Sequence, residues 1–350
     1  MRNCLTALAL MLLTYACQYP VDTSTLPDPQ RFLVIDAELT PDYGKVQVTY
    51  TLDKVTSQGA YQFPSPPANA SAYVVDSQGN ATFFSIDGSR NPNFHGVVGE
   101  TYRLFVSADG NNYESTPETM PACPTLDSLE VIYTEERNRV PEDFSYYGFD
   151  VYAKTQDIPG QANYYQWDWI HYEKAVGCGV FKENGMDVLY PCSPYGCWNI
   201  TYNTRINVQS DQLRDGQPLA HKIVRVPFTN PPNRYYLQVQ QRAITPTVFT
   251  YLQSLETQTQ NTGSVFDIPA QTRFSPNIVN VNNPREKIIG VFSVFSYSKK
   301  VVIIDRSQPI DGRYARISKF YLPFTSLPLA SAPCIEGLYR TQVEPEGWEE

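Results

Sequence analysis

Residue types that carry most protein chemistry are sparse here: three histidines, seven cysteines and four tryptophans in 350 residues. His95 lies in Asn93-Phe94-His95-Gly96, His171 ends an aromatic run, and His221 follows a Gly-Pro loop. Acid–base or nucleophilic catalysis needs a base held beside a reacting group and an orienting partner. The chain has no Gly-x-Ser-x-Gly, no His-Glu-x-x-His, no phosphate loop and no dinucleotide fingerprint. Acidic residues are plentiful, but they lack the regular spacing of a calcium loop, and no pair is singled out for glycoside hydrolysis. The expectation is a protein that is not an enzyme, with no cofactor and no metal.

The cysteines say more. Arg2 is a short positive start, and Leu5 to Ala16 form a mostly apolar run too short to cross a bilayer as a helix. Ala16 is the small residue that a lipoprotein signal places before its cysteine, which makes Cys17 the expected lipidation site and 1–16 the signal peptide. Tyr15 and the position of Leu13 depart from the ideal lipobox, and ordinary secretion with cleavage near Ala16 is the alternative. Residues 17–30, rich in Pro, Asp, Ser and Thr, suit a flexible tether. In an oxidising compartment Cys123, Cys178, Cys192, Cys197 and Cys334 read as disulfide partners, and their odd number leaves a thiol over. Zinc competes for the cluster Cys178, Cys192 and Cys197, but a closed site needs four ligands and only His171 is near in sequence.

The elements that would position such residues are strands. Aromatics make up 13% of the chain, with 25 tyrosines, and only 18% of residues are charged, a composition that suits pleated, half-buried surfaces. A net charge of -9 argues against nucleic acid and anionic headgroups as partners. Val46 to Leu52 and Thr101 to Val106 alternate with period two, and Ala72 to Phe84 reads as strand, turn, strand. Asp109-Gly110 is a hairpin signal. Residues 31–120 are thus expected to form a small antiparallel, Ig-like β-sandwich, ending at the proline-flanked segment Thr119 to Pro124.

Residues 121–335 are expected to form a larger β-sandwich or partly closed barrel with one packed helix, so the fold class is mainly β. The helix is placed near 246–261: Thr245 can cap it, Pro246 suits its first turn, Gly263 can end it, and Val248, Leu252 and Leu255 share a face. Late strands are expected at Lys287 to Tyr297, Lys300 to Ile304 and Ala315 to Tyr321, before an acidic tail over 336–350. Tyr164, Tyr165, Trp167 and Trp169 alternate along one strand and so divide between two faces, which either pack on both sides or leave one to stack on a sugar or peptide. Trp198 has the same two readings. Trp348 either docks back on the body or meets a partner.

Taken in order along the chain, these segments resemble the Bacteroidota lipoprotein family catalogued as domain of unknown function 4249. The lipoprotein start carries the resemblance, together with Arg31-Phe32-Leu33-Val34-Ile35-Asp36-Ala37-Glu38-Leu39-Thr40, Gly99-Glu100-Thr101-Tyr102-Arg103-Leu104 and Asn163-Tyr164-Tyr165. It continues through Tyr251-Leu252, Val265-Phe266-Asp267-Ile268-Pro269, Asn277-Ile278 and Ile289-Gly290-Val291-Phe292-Ser293, then Cys334 with Pro345 and Gly347-Trp348. A second cysteine close to the terminal one is common in the family, whereas Cys334 stands alone. The resemblance implies an accessory role in uptake at the outer membrane beside a TonB-dependent receptor. It supplies no catalytic residue and names no small ligand.

Overall fold

The computed structural model describes residues 31–51, 65–135, 147–175, 177–183, 185–190, 192–193, 196–227, 234–260, 274–306 and 332–348. The expected signal peptide, Cys17, the tether and the candidate strand at 315–321 lie outside the described residues.

The chain opens with strands β1 (Leu33–Leu39) and β2 (Gly44–Tyr50), paired antiparallel. Leu33, Ile35, Ala37 and Leu39 point inward from β1, while Asp36 and Glu38 point outward. Thr40 fixes the hairpin: its hydroxyl donates to the Tyr43 carbonyl and accepts the Tyr43 N–H. Strands β3 (Ser71–Asp76), β4 (Ala81–Phe84), β5 (Thr101–Ala108), β6 (Asn111–Ser115) and β7 (Glu118–Thr119) follow. The β5–β6 turn places both Asp109 and Gly110 at positive φ, 49° and 78°, the backbone of a tight hairpin.

Next come β8 (Leu126–Glu135), β9 (Tyr147–Gln156), β10 (Tyr164–Lys174), β11 (Gly179–Glu183), β12 (Met186–Tyr190) and β13 (Cys192–Ser193). Strands β14 (Trp198–Tyr202), β15 (Val208–Ser210), β16 (Pro218–Pro227) and β17 (Arg234–Ala243) lead to helix α1 (Pro246–Gln260). The chain then forms β18 (Ile278–Asn280), β19 (Ile288–Ile289), β20 (Phe292–Val294), β21 (Ser296–Asp305), β22 (Ala332–Pro333) and β23 (Arg340–Thr341).

The fold is mainly β, with sheets packed as sandwiches. In the first sandwich, β1, β2, β19 and β20 form one sheet and β18-β6-β5-β3-β4, with β7 on β5, forms the other. In the second, the three-stranded sheet β16-β9-β8 faces β21-β17-β10-β14-β23. Tyr165, Trp167, Leu237 and Val239 from the larger sheet meet Phe149, Val151 and Val226 from the smaller. These sheets stay open, so the partly closed barrel considered for residues 121–335 is not what forms.

Two further expectations are corrected. The first sandwich is neither contiguous nor wholly antiparallel: β19 and β20 return to pair parallel with β1, and β18 pairs with β6. Ile278, Ile288, Phe292 and Val294 complete its core, so the boundary at 119–124 separates only part of it. Nor are residues 287–297 a single strand. Gly290 breaks them with φ +103°, and a Cβ there would stand 2.2 Å from the Ile35 carbonyl oxygen, so only glycine fits.

Phe292 is fully buried in the shared core. Phe292→Ala is expected to cost about 3–5 kcal/mol, read as an earlier midpoint in urea unfolding. An unchanged midpoint would show that the returning strands do not hold the first sandwich together.

Candidate functional site

The outward face of β1 does not open onto bulk solvent alone. Asp36 and Glu38, with Gln47 and Lys45 opposite them on β2, form one wall of a cleft of about 230 Å³. Gln166 from β10, Arg242 from β17, Val248 and Leu252 from α1, and Val291, Ser293 and Phe295 from the returning segment line the rest. The helix is seated by Ile244, Val248, Phe249 and Phe295, and the Thr245 hydroxyl accepts the Val248 N–H at 3.5 Å, a weak N-cap.

The charges in the cleft are mostly matched. Lys45 Nζ lies 3.1 Å from Glu38 Oε2. Arg242 holds Asp168 at 2.9 Å and places its guanidinium 4.8 Å from the Phe295 ring centroid. Asp36 accepts the Val291 N–H at 3.3 Å. Its side chain reaches solvent, but the protein packed around it withdraws water and raises its carboxyl above the ordinary aspartate value, with Glu38 adding to the rise. No histidine or cysteine lines the cleft, and Ser293 is its one hydroxyl. This set can bind a polar or charged group, and its proton acceptors are the carboxylates of Asp36 and Glu38.

A family model described as "Domain of unknown function (DUF4249)" matches residues 18–301. The chain belongs to this family. No curated protein matches it. In this DUF4249 chain three of the segments that carry the resemblance meet at the cleft: the β1 segment around Asp36, Tyr251-Leu252 on the helix, and Ile289 to Ser293.

The other site candidates lie elsewhere. Cys178 bonds Cys192 with Cα atoms 4.8 Å apart, and Cys197 bonds Cys334 at 5.7 Å. The sulfurs of Cys178, Cys192 and Cys197 lie within 4.8 Å of one another, but in disulfides they offer no thiolate to zinc. The second bridge spans 137 residues, a closure contributing about 4–5 kcal/mol in the chain-entropy description. Cys123 is the free thiol, and burial pushes its pKa up to about 11, which keeps it unreactive.

Of the alternating aromatics, Tyr165 and Trp167 are fully buried between the sheets, with Trp169 packed against that core. Tyr164 turns to the other face and meets Phe249 of the helix at 4.9 Å. Trp198 is buried under Trp348, whose ring lies 6.3 Å away. The Tyr236 hydroxyl donates to the Glu346 carbonyl at 2.8 Å, so the terminal segment docks on the body. Only Tyr164 and Trp169 of the five keep partial exposure.

The histidines are scattered and structurally engaged. His95 Nδ1 faces the Pro41 carbonyl, and His221 stacks on Trp167 at 4.3 Å between Gln209 and Asn207. His171 reaches the Tyr236 carbonyl at 3.0 Å and Glu173 at 3.4 Å. None of the three bonds a Ser, Thr or Cys side chain among the described residues.

A group that sequence spacing does not reveal is Asp157, Asp211 and Asp215, whose carboxylates come from two loops, after β9 and after β15, to within 4.8 Å of one another. Asp157 accepts the Tyr165 hydroxyl at 2.5 Å and the Gly216 N–H at 2.7 Å, and Asp211 accepts the Asn163 N–H at 2.8 Å. Burial raises the Asp211 carboxyl, and the negative charge of Asp157 adds to the rise. Oxygen-rich sets of this kind can hold a hard cation, although these oxygens already satisfy one another's loops. The nearest sequence signal is Asp211 and Asp215 beside Gly216, too sparse to identify.

Glu173 bridges His171 and the fully buried Arg306, which also donates to the Pro227 carbonyl at 3.2 Å. Burial works to raise the Glu173 carboxyl, but His171 and the Arg306 guanidinium outweigh it and hold it below the ordinary glutamate value. Glu173→Gln is expected to cost about 3 kcal/mol at neutral pH, as for a broken buried pair. A carboxyl depressed in the native state stabilises above its unfolded pKa and loses that contribution as pH falls through its native one. Urea unfolding at neutral pH and at about pH 3 should therefore show the two proteins converging in acid. An equal gap at both would contradict the ion-pair role.

Proposed function

We propose that this protein is a lipid-anchored accessory or binding protein of the outer membrane that works beside a TonB-dependent receptor in uptake of a nutrient or metal complex. The observation that carries the reading is the cleft. Two sandwiches, the helix and the returning segment build a polar pocket with an apolar wall, the kind of lining that holds a ligand. The apolar start ending at Ala16-Cys17 supplies the anchor, and the tether after it gives reach. No helix among the described residues is long and apolar enough to cross a membrane, so attachment in this reading rests on lipid at Cys17.

A second reading, a structural or adhesive surface protein, is favoured by one feature. Ile335, Leu338, Tyr339 and Val343 are 65–72% exposed on the terminal segment, and clustered exposed apolar side chains mark protein contacts.

Affinity purification from detergent-solubilised membranes tests both. Recovery of a β-barrel receptor with the wild-type chain, and loss of membrane attachment in Cys17→Ala, are the expected results. A chain found alone, with uptake unchanged on deletion, would defeat the transport reading. Loss of surface attachment without an uptake defect would select the adhesive one.

A further inference from the structure

The four charged side chains that line the cleft, Asp36, Glu38, Lys45 and Arg242, sum to zero, but both cations already hold a carboxylate, one of them from outside the lining. Glu38 has Lys45, and Asp168 has Arg242. Asp36 is left without an ion-pair partner; Lys45 acts on it only as the weakest of several influences. The Gln47 and Gln166 side-chain amides at the same cleft have no hydrogen-bond partner among the described residues. Around them stand Val248, Leu252 and Val291 as apolar wall. Asp36 and Gln47 are exposed and Gln166 is half-buried; a carboxylate with no cation and two amides facing one small space suit a positively charged hydrogen-bond donor on a short apolar stem.

Asp36 is also held in place. β1 is paired on both sides, with Gln47 across from Asp36 and the Ala37 N–H on the Val291 carbonyl at 3.1 Å. At Gly290 a Cβ would stand 2.8 Å from Asp36 Oδ1, so the returning backbone fits tightly against the carboxylate. The Tyr251 hydroxyl lies near the Gly290 backbone and within electrostatic reach of Asp36.

The kind of cation follows. A quaternary ammonium wants open aromatic faces, and the one ring here, Phe295, is already covered by Arg242. A guanidinium wants both carboxylate oxygens, and at Oδ1 of Asp36 the Val291 N–H already takes one of the two acceptor positions. A hard metal ion wants six or more oxygens. A volume of about 230 Å³ holds on the order of eight water-sized groups, enough for an ammonium and a butyl stem.

We propose that this cleft binds a primary alkylammonium group, free or on a lysine side chain, with its nitrogen on the Asp36 carboxylate and its stem against Leu252. The assignment rests on reading the cleft as the protein's binding site.

Isothermal titration of the full purified chain tests it, with n-butylammonium and Nα-acetyl-lysine methylamide as probes and n-butanol and butyltrimethylammonium as controls. Both amines should bind, with the controls at least about tenfold weaker. Asp36→Asn should weaken the amines about tenfold or more, and Gln166→Ala on the opposite wall several-fold, each with an unshifted thermal midpoint. A lysine analogue about tenfold tighter than butylammonium supports a partner's side chain as the source; equal affinities support a free amine. No binding of either amine at about 10 mM, or wild-type affinity in both variants, overturns the assignment. A receptor that co-purifies normally while the amines fail to bind removes this assignment alone. Amine binding by a chain that never meets a receptor leaves it standing and removes the transport reading.

Discussion

The structure depends on a closure between chain segments very far apart in sequence. Asn277, fully buried, donates to Glu118 Oε1 at 2.8 Å and to the Phe292 carbonyl at 2.7 Å, and accepts the Phe292 N–H at 3.1 Å. Those bonds satisfy a buried amide and the strand it serves in one arrangement. They set β18 against β6 and β20 against β1, so the first sandwich has no complete core without a segment that comes after the helix and most strands of the second sandwich. The same segment carries Val291, Ser293 and Phe295 into the cleft. Closure of the fold and construction of the site are therefore one event.

The tyrosine-rich, charge-poor composition finds its explanation in the same architecture. Three buried rings show the pattern, each filling a place between sheets or beside a strand while its hydroxyl reaches a polar group at the margin: Tyr165 to Asp157, Tyr113 to Glu286, Tyr236 to the Glu346 carbonyl. Carboxylates that would otherwise be left dry at the edges acquire donors in this way. Where a full charge is buried, as at Arg306, a carboxylate and a carbonyl meet it.

Local features were legible from residues alone. Alternation set the faces of β2, Asp109-Gly110 set a turn, and Thr245-Pro246 set the start of the helix, because each depends on neighbours within a few residues. Long-range features were not. Nothing near Leu33 announces that Ile288 will lie beside it in parallel, and a run such as 287–297 alternates well enough to hide the break that Gly290 imposes. The three aspartates and the cleft stayed invisible for the same reason: they are assembled across loops and sheets, and spacing in sequence carries no trace of that. Cys334 showed that it needed a distant partner without showing which one.

The pairing of β1 with the returning segment also imposes an order in time. The Asp36–Val291 contact joins residues 255 positions apart, and a ribosome adds roughly 5–20 residues per second. One flank of β1, with its row of unpaired backbone groups, therefore waits on the order of tens of seconds for its neighbour to be synthesised. An unfilled strand edge of that duration is a template for wrong partners. During its making, this chain needs either a chaperone over its first strands or passage through a channel that keeps it extended until the last ones have emerged.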